Sequence, residues 1–82
     1  MNRLVVFDSV HHAIRAEHFL QQAGIAVELI PTPREITASC GQSVAFNETD
    51  IEIVRRILDQ EKILFRGVYS SLSETRRYER LW

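Results

Sequence analysis

Leu4-Val5-Val6-Phe7 is an unbroken apolar run that ends abruptly at Asp8-Ser9. Side chains alternate across a strand, so a run apolar at every position needs cover on both faces and belongs in the middle of a sheet. That one constraint excludes a lone hairpin or an all-helical bundle. Asp8 or Ser9 can cap a following helix, predicted to run to about Ala23 with Gly24 as its stop. At about 100° per residue, Ala13, Ala16, Leu20 and Ala23 share one face, flanked by Val10 and Phe19. His11, Arg15, His18 and Gln22 fall on the solvated side, with His12 and Glu17 at the border.

Ala26–Ile30 reads as a second strand, Ser43–Phe46 as a third and Leu64–Tyr69 as a fourth. A second helix is announced by Thr49 and Glu52, spaced as a capping box, with Ile51, Val54, Ile57 and Leu58 at helical spacing. The order β-α-β, long loop, β-α-β predicts an α+β fold of the ferredoxin-like type. In it two split β-α-β units build one antiparallel sheet with both helices on one face. The expected organisation is a single domain over residues 1–69 and a polar, aromatic tail over residues 70–82. The tail is expected as a short amphipathic helix, with Leu72, Tyr78, Leu81 and Trp82 as its contacts, docking on the domain's own core or on a second subunit.

A formal net charge of −1 argues against a general nucleic-acid binder, which carries a basic surplus. Four apolar residues before Asp8 are too few for a signal-peptide core, and no stretch approaches membrane-spanning length. The single cysteine, Cys40, cannot form an intrachain disulfide, so the expected setting is the reducing cytoplasm, with Cys40 a free thiol.

Cys40 sits in the densest stretch of constrained positions in the chain, Ile30-Pro31-Thr32-Pro33-Arg34-Glu35-Ile36-Thr37-Ala38-Ser39-Cys40-Gly41. Thr32 and Glu35 again have capping-box spacing and Pro33 suits a first helical position, so a short helix is expected from Pro33, with Gly41 as a left-handed stop. Connections this long between strands are usually functional or mobile, and here the local signals argue for order. On its own element the thiol would be quiet: a helix C-terminus disfavours the thiolate, and Arg34 lies about 9 Å away along such a helix. Ile36 would share its face, as a packing neighbour for a small half-buried side chain. Topology counters this, because strands one and two run the same way and bring the loop to the end where the first helix begins. The N–H groups there favour a thiolate, and His12 is the histidine placed to reach it.

Pro31-Thr32-Pro33-Arg34-Glu35-Ile36 followed by Ser39-Cys40-Gly41, together with Phe7-Asp8-Ser9-Val10-His11-His12-Ala13 and Glu17, resembles the selenium/sulfur carrier protein-like family of small bacterial proteins. The similarity covers about residues 3–69 and leaves the tail outside. It implies that Cys40 carries sulfur or selenium as a persulfide or selenosulfide, with Pro33, Arg34, Glu35 and Gly41 as the surrounding motif.

Other chemistries are poorly supported. His11, His12 and His18 never take the i, i+4 spacing that converges on one helical face, so no metal site is expected. The scattered glycines make no phosphate loop and no cofactor is implied, while Glu28/Glu35 and Asp50/Glu52 suit solvated faces and capping. The expected function is a carrier rather than a turnover enzyme. Cys40 would accept a chalcogen from a donor such as a cysteine desulfurase, Arg34 would steady its negative charge and His12 would neighbour the thiolate. The alternative is a small interaction or regulatory module, possibly a homodimer, in which Cys40 is structural. Neither reading involves nucleic acid or membrane.

Overall fold

The computed structural model describes residues 1–37, 41–72 and 77–82. The chain runs β1 (Arg3–Phe7), α1 (Val10–Gln22), β2 (Val27–Pro31), β3 (Gln42–Phe46), α2 (Ile51–Gln60), β4 (Gly67–Leu72) and β5 (Arg77–Arg80). All strand pairs are antiparallel and the sheet order is β2-β3-β1-β4-β5. The α+β class is as expected. β1 and β2 flank β3, as an interleaved β-α-β unit requires, and β1 is central with Leu4 to Phe7 all buried.

The register sorts the core. Val5 stands opposite both Val44 and Val68, so the three share a face. With Phe7 and Phe46 they pack on Ala13, Ala16 and Leu20 of α1 and on Val54 and Leu58 of α2. The other face is also closed at its centre: Leu4, Val6, Ser43 and Ala45 are buried there. The register carries Ile30, Tyr69 and Arg80 on this second face as well.

Ser9 caps α1, its hydroxyl accepting from the His12 N–H, and Gly24 takes the left-handed conformation (φ +80°) expected of the stop. Val10 does not join the inward face; it and Ile14 are about half exposed, while Ala23 is an exposed C-cap. The capping box expected at Thr49 is not formed. A 3-10 turn over Glu48–Asp50 leads into α2, whose N-cap Asp50 makes no side-chain cap bond. The turn is held from β1 instead, since the Glu48 N–H donates to Asn2 Oδ1 and the Glu48 carboxylate pairs with Arg3 at 3.0 Å.

Two sequence expectations fail at the C-terminal end. The fourth strand begins at Gly67 rather than Leu64. Ile63 turns back onto the end of α2, its N–H donating to Leu58 O, and is buried; Leu64 is 72% exposed. Lys62 occupies the left-handed position (φ +52°) that makes this reversal. The tail is a strand, not a helix: residues 77–80 pair with β4, and the Val68 N–H donates to Trp82 O at 2.7 Å. Pairing satisfies backbone groups that a helix this short would leave open. Trp82 then docks on the domain's own core, edge-on to Phe65 and beneath the Arg55 guanidinium at 4.9 Å. Among the described residues, no helix is long and apolar enough to cross a membrane.

Candidate functional site

The connection between β2 and β3 is closed at its base by three short contacts. The Thr32 N–H donates to Gly41 O at 3.0 Å, extending the ladder one step past Pro31–Gln42. The Thr32 hydroxyl shares a 2.7 Å hydrogen bond with Ser43 Oγ, a side chain with no exposed surface. Gly41 lies so close to β1 that a Cβ there would stand 3.2 Å from both Phe7 O and Thr32 Oγ1. A side chain there would force one of these neighbours to give by a few tenths of an ångström, so close approach favours glycine at this position. The helix expected from Pro33 is a single turn, with the Ile36 and Thr37 N–H groups both directed at Pro33 O. Thr32 spends its hydroxyl on Ser43 across the sheet, which is why the local capping pattern misleads. Cys40, with Ala38 and Ser39, lies outside the described residues.

The strand order brings this connection to the sheet end where α1 starts. Asp8 follows β1 directly, and its carboxylate lies 3.6 Å from Arg66 Nε. Arg66 also donates through Nη1 to Thr37 Oγ1 at 3.4 Å, joining the entry to β4 with the connection's incoming flank. Its backbone is held on both sides, the N–H donating to Val6 O at 2.7 Å and the carbonyl accepting from Arg80 Nη2 at 3.1 Å. Beside these groups Asp8, Ser9, His12, Leu64 and Phe65 line a small cavity of about 160 Å³. His12 Nδ1 accepts the Leu64 N–H at 3.2 Å. Neutral His12 therefore carries its proton on Nε2, the nitrogen left to donate.

The residues singled out in the sequence separate in space. Pro33 is half-buried, whereas Arg34 and Glu35 are exposed on the turn; among the described residues neither makes an ion pair or side-chain hydrogen bond. His12 sits in the first turn of α1, held by a loop that the sequence reads as strand. His11 stacks edge-on to His12, and His18 lies on the exposed side of the helix. Among the described residues, no group of three His, Cys, Asp or Glu is arranged to hold a metal ion. Arg66 is the residue that sequence reasoning missed. Its place follows from the register of β4, and only the step Arg66-Gly67, an arginine before a glycine that opens a strand, hints at it.

A family model described as Putative Se/S carrier protein-like matches residues 2–70, from the start of β1 into β4. No curated protein matches the chain, and no solved structure does.

Proposed function

Because the chain belongs to the Se/S carrier protein-like family, we propose that it holds a sulfur or selenium atom on Cys40 and relays it between partner proteins. The observation that carries this reading is the location of the Cys40 connection: its base is locked to β1 and β3, and its incoming flank is tied to the end of the sheet where α1 begins. The first-turn N–H groups of a helix favour anions, and His12 Nε2–H is a further donor at the same end.

In loading, the Cys40 thiolate attacks the terminal sulfur of a donor persulfide, R–S–SH. A bond forms between the Cys40 sulfur and that sulfur, the donor S–S bond breaks, and the donor leaves as the thiolate R–S⁻. The products are Cys40–S–SH and R–S⁻, with no net oxidation and no cofactor. Unloading is the same exchange with the acceptor thiolate as nucleophile, and a selenium atom in the terminal position follows the same path. The donor would be a protein persulfide such as that of a cysteine desulfurase, in a reducing compartment where Cys40 remains a thiol. A single thiol suits a carrier, because a second cysteine in the chain would resolve the adduct into a disulfide.

The test is intact mass after incubation with a cysteine desulfurase and cysteine, without reductant. One added sulfur atom, removed by reductant and missing from Cys40→Ser, is the expected result. Repeated absence of that adduct at full desulfurase activity would leave the alternative, an interaction module in which Cys40 is structural.

A further inference from the structure

We propose that His12 is a proton-operated latch on the turn between α2 and β4. Neutral, it holds Leu64 by accepting that residue's N–H; protonated, it releases the turn and pairs with Asp8. The turn starts where Glu61 caps α2, reverses at Lys62 (φ +52°) and ends where Gly67 opens β4. Backbone bonds fix it on both sides, the Ile63 N–H donating to Leu58 O at 2.9 Å and the Arg66 N–H to Val6 O at 2.7 Å. Between them Leu64 and Phe65 are exposed. Two side chains of α1 grip the turn: Arg15 Nη2 donates to Glu61 O at 3.1 Å, and His12 Nδ1 accepts the Leu64 N–H at 3.2 Å. The ties differ in one respect. A guanidinium stays charged, whereas histidine is the side chain that changes charge between about pH 5 and pH 8.

Protonation reverses the sense of the second tie. The neutral ring offers Leu64 a lone pair on Nδ1, but an imidazolium carries a hydrogen on each nitrogen, so two donors would face each other at 3.2 Å. That bond is lost, and the exposed Leu64 N–H turns to solvent. A receiving group for the new charge is already in place. Asp8 lines the same cavity of about 160 Å³ as His12, its carboxylate is 74% exposed, and its contact with Arg66 is long at 3.6 Å. The other charged or titratable groups around the ring are His11 and Arg15 on its own helix, Glu61 and Lys62 on the turn, and Arg66 beyond Asp8. Among the described residues, Asp8 is the one carboxylate that shares the ring's cavity.

What the latch controls is a wall. Leu64 and Phe65 line the small cavity on the α1 side and also a groove of about 650 Å³ on the α2 side, which Leu58, Ile63 and Trp82 line as well. Phe65 meets Trp82 edge-on at 5.6 Å, and Trp82 O accepts the Val68 N–H at 2.7 Å. Releasing Leu64 therefore loosens both the partition between the two cavities and the ring contact that seats Trp82. Arg15 keeps its hold on Glu61 throughout, so the movement is confined to Leu64 and Phe65.

The test follows the full chain from about pH 8 to about pH 5 by nitrogen-15 NMR, as wild type, His12→Asn, His12→Ala and Asp8→Asn. Asparagine sets an acceptor oxygen near the place of Nδ1 and does not titrate, so it separates the proton from the hydrogen bond. In the wild type at pH 8 the ring hydrogen should be found on Nε2. On acidification the Leu64 amide, corrected for the chemical dependence of exchange on pH, should exchange about fivefold faster, as expected for the loss of one modest hydrogen bond. Emission of Trp82, the single tryptophan, should change over the same range. His12→Asn should keep Leu64 protected throughout, and His12→Ala should leave it unprotected at both ends. Asp8→Asn should move the step down by roughly half a pH unit, the scale of an exposed ion pair. A ring hydrogen on Nδ1 at pH 8, Leu64 protection that does not vary with pH, or an equal acid step in His12→Asn would overturn the latch. A step at the wild-type pH in Asp8→Asn would overturn Asp8 as the receiving partner. Should His12→Ala not fold, the wild type and His12→Asn decide the question by the same criteria.

Discussion

Thr32 offers a measurement that separates two physical accounts of the candidate site. By its spacing to Glu35 it should cap a turn, and losing an N-cap hydroxyl costs about 1 kcal/mol wherever it happens. In the structure its hydroxyl is bonded at 2.7 Å to Ser43 Oγ, in the optimal range for O–H···O, and Ser43 has no access to water. Thr32→Val removes the partner of a fully buried hydroxyl and should cost about 2 kcal/mol, within the 1–3 kcal/mol range for an unsatisfied buried group. Ser43→Ala removes the buried group itself and leaves a half-buried threonine able to turn to solvent, at about 1 kcal/mol. The double variant should then be no less stable than Ser43→Ala alone, a coupling of about 2 kcal/mol or more. Urea unfolding followed through the single tryptophan, Trp82, gives all four stabilities, with a constant m-value as the check that the denatured state is unchanged. If the two costs add to within about 0.5 kcal/mol, the residues do not interact and Thr32 acts as a local cap after all. Thr32 would then fix the turn and not the base of the connection.

Lys62, at φ +52°, stands where a side chain costs about 1 kcal/mol or more, and glycine would relieve that at the expense of unfolded-chain entropy. Lys62→Gly should therefore be neutral or slightly stabilising by thermal melt, whereas β-branched Lys62→Val should lower stability by at least about 1 kcal/mol; the reverse order would refute the left-handed turn. Trp82→Ala should cost about 2 kcal/mol, less than a fully buried aromatic because the ring is only partly covered. Hydrogen exchange should show lost protection concentrated in β5 and at Val68, whose N–H bonds to Trp82 O; uniform loss across the sheet would mean that the terminal strand is not a local unit.

Elements whose signal is local were legible in the chain. The apolar run at Leu4–Phe7 marks a strand buried on both faces because each residue reports its own burial, and β1 is central. Ser9 and Gly24 punctuate α1 because capping and left-handed φ are properties of single residues. The failures share another cause. Ile63, Leu64 and Phe65 form one apolar run, but each goes elsewhere: Ile63 into the core, Leu64 outward, and Phe65 onto Trp82. Arg77–Arg80 has no apolar period and becomes strand because β4 offers an edge to pair with. In each case a tertiary contact outweighs a weak local preference.

The same division runs through the site. The motif around Cys40 stands out in the sequence because prolines, threonines and glycine crowd one connection, but contacts at this end of the sheet span the chain: Arg66 reaches Thr37 of the connection over 29 residues, and Leu64 reaches His12 beside it over 52. Those contacts also differ in strength. The base of the connection is tied at 2.7 and 3.0 Å beside a buried serine, whereas the links from the α1 side are long and made by exposed side chains. Buried short bonds persist in any salt, while exposed ion pairs at such distances weaken as the ionic strength rises. On the proposed reading a carrier must meet a donor and then an acceptor, and this division separates two requirements. The short bonds set where the connection begins and ends, and the long ones leave Asp8 and Arg66 able to exchange partners.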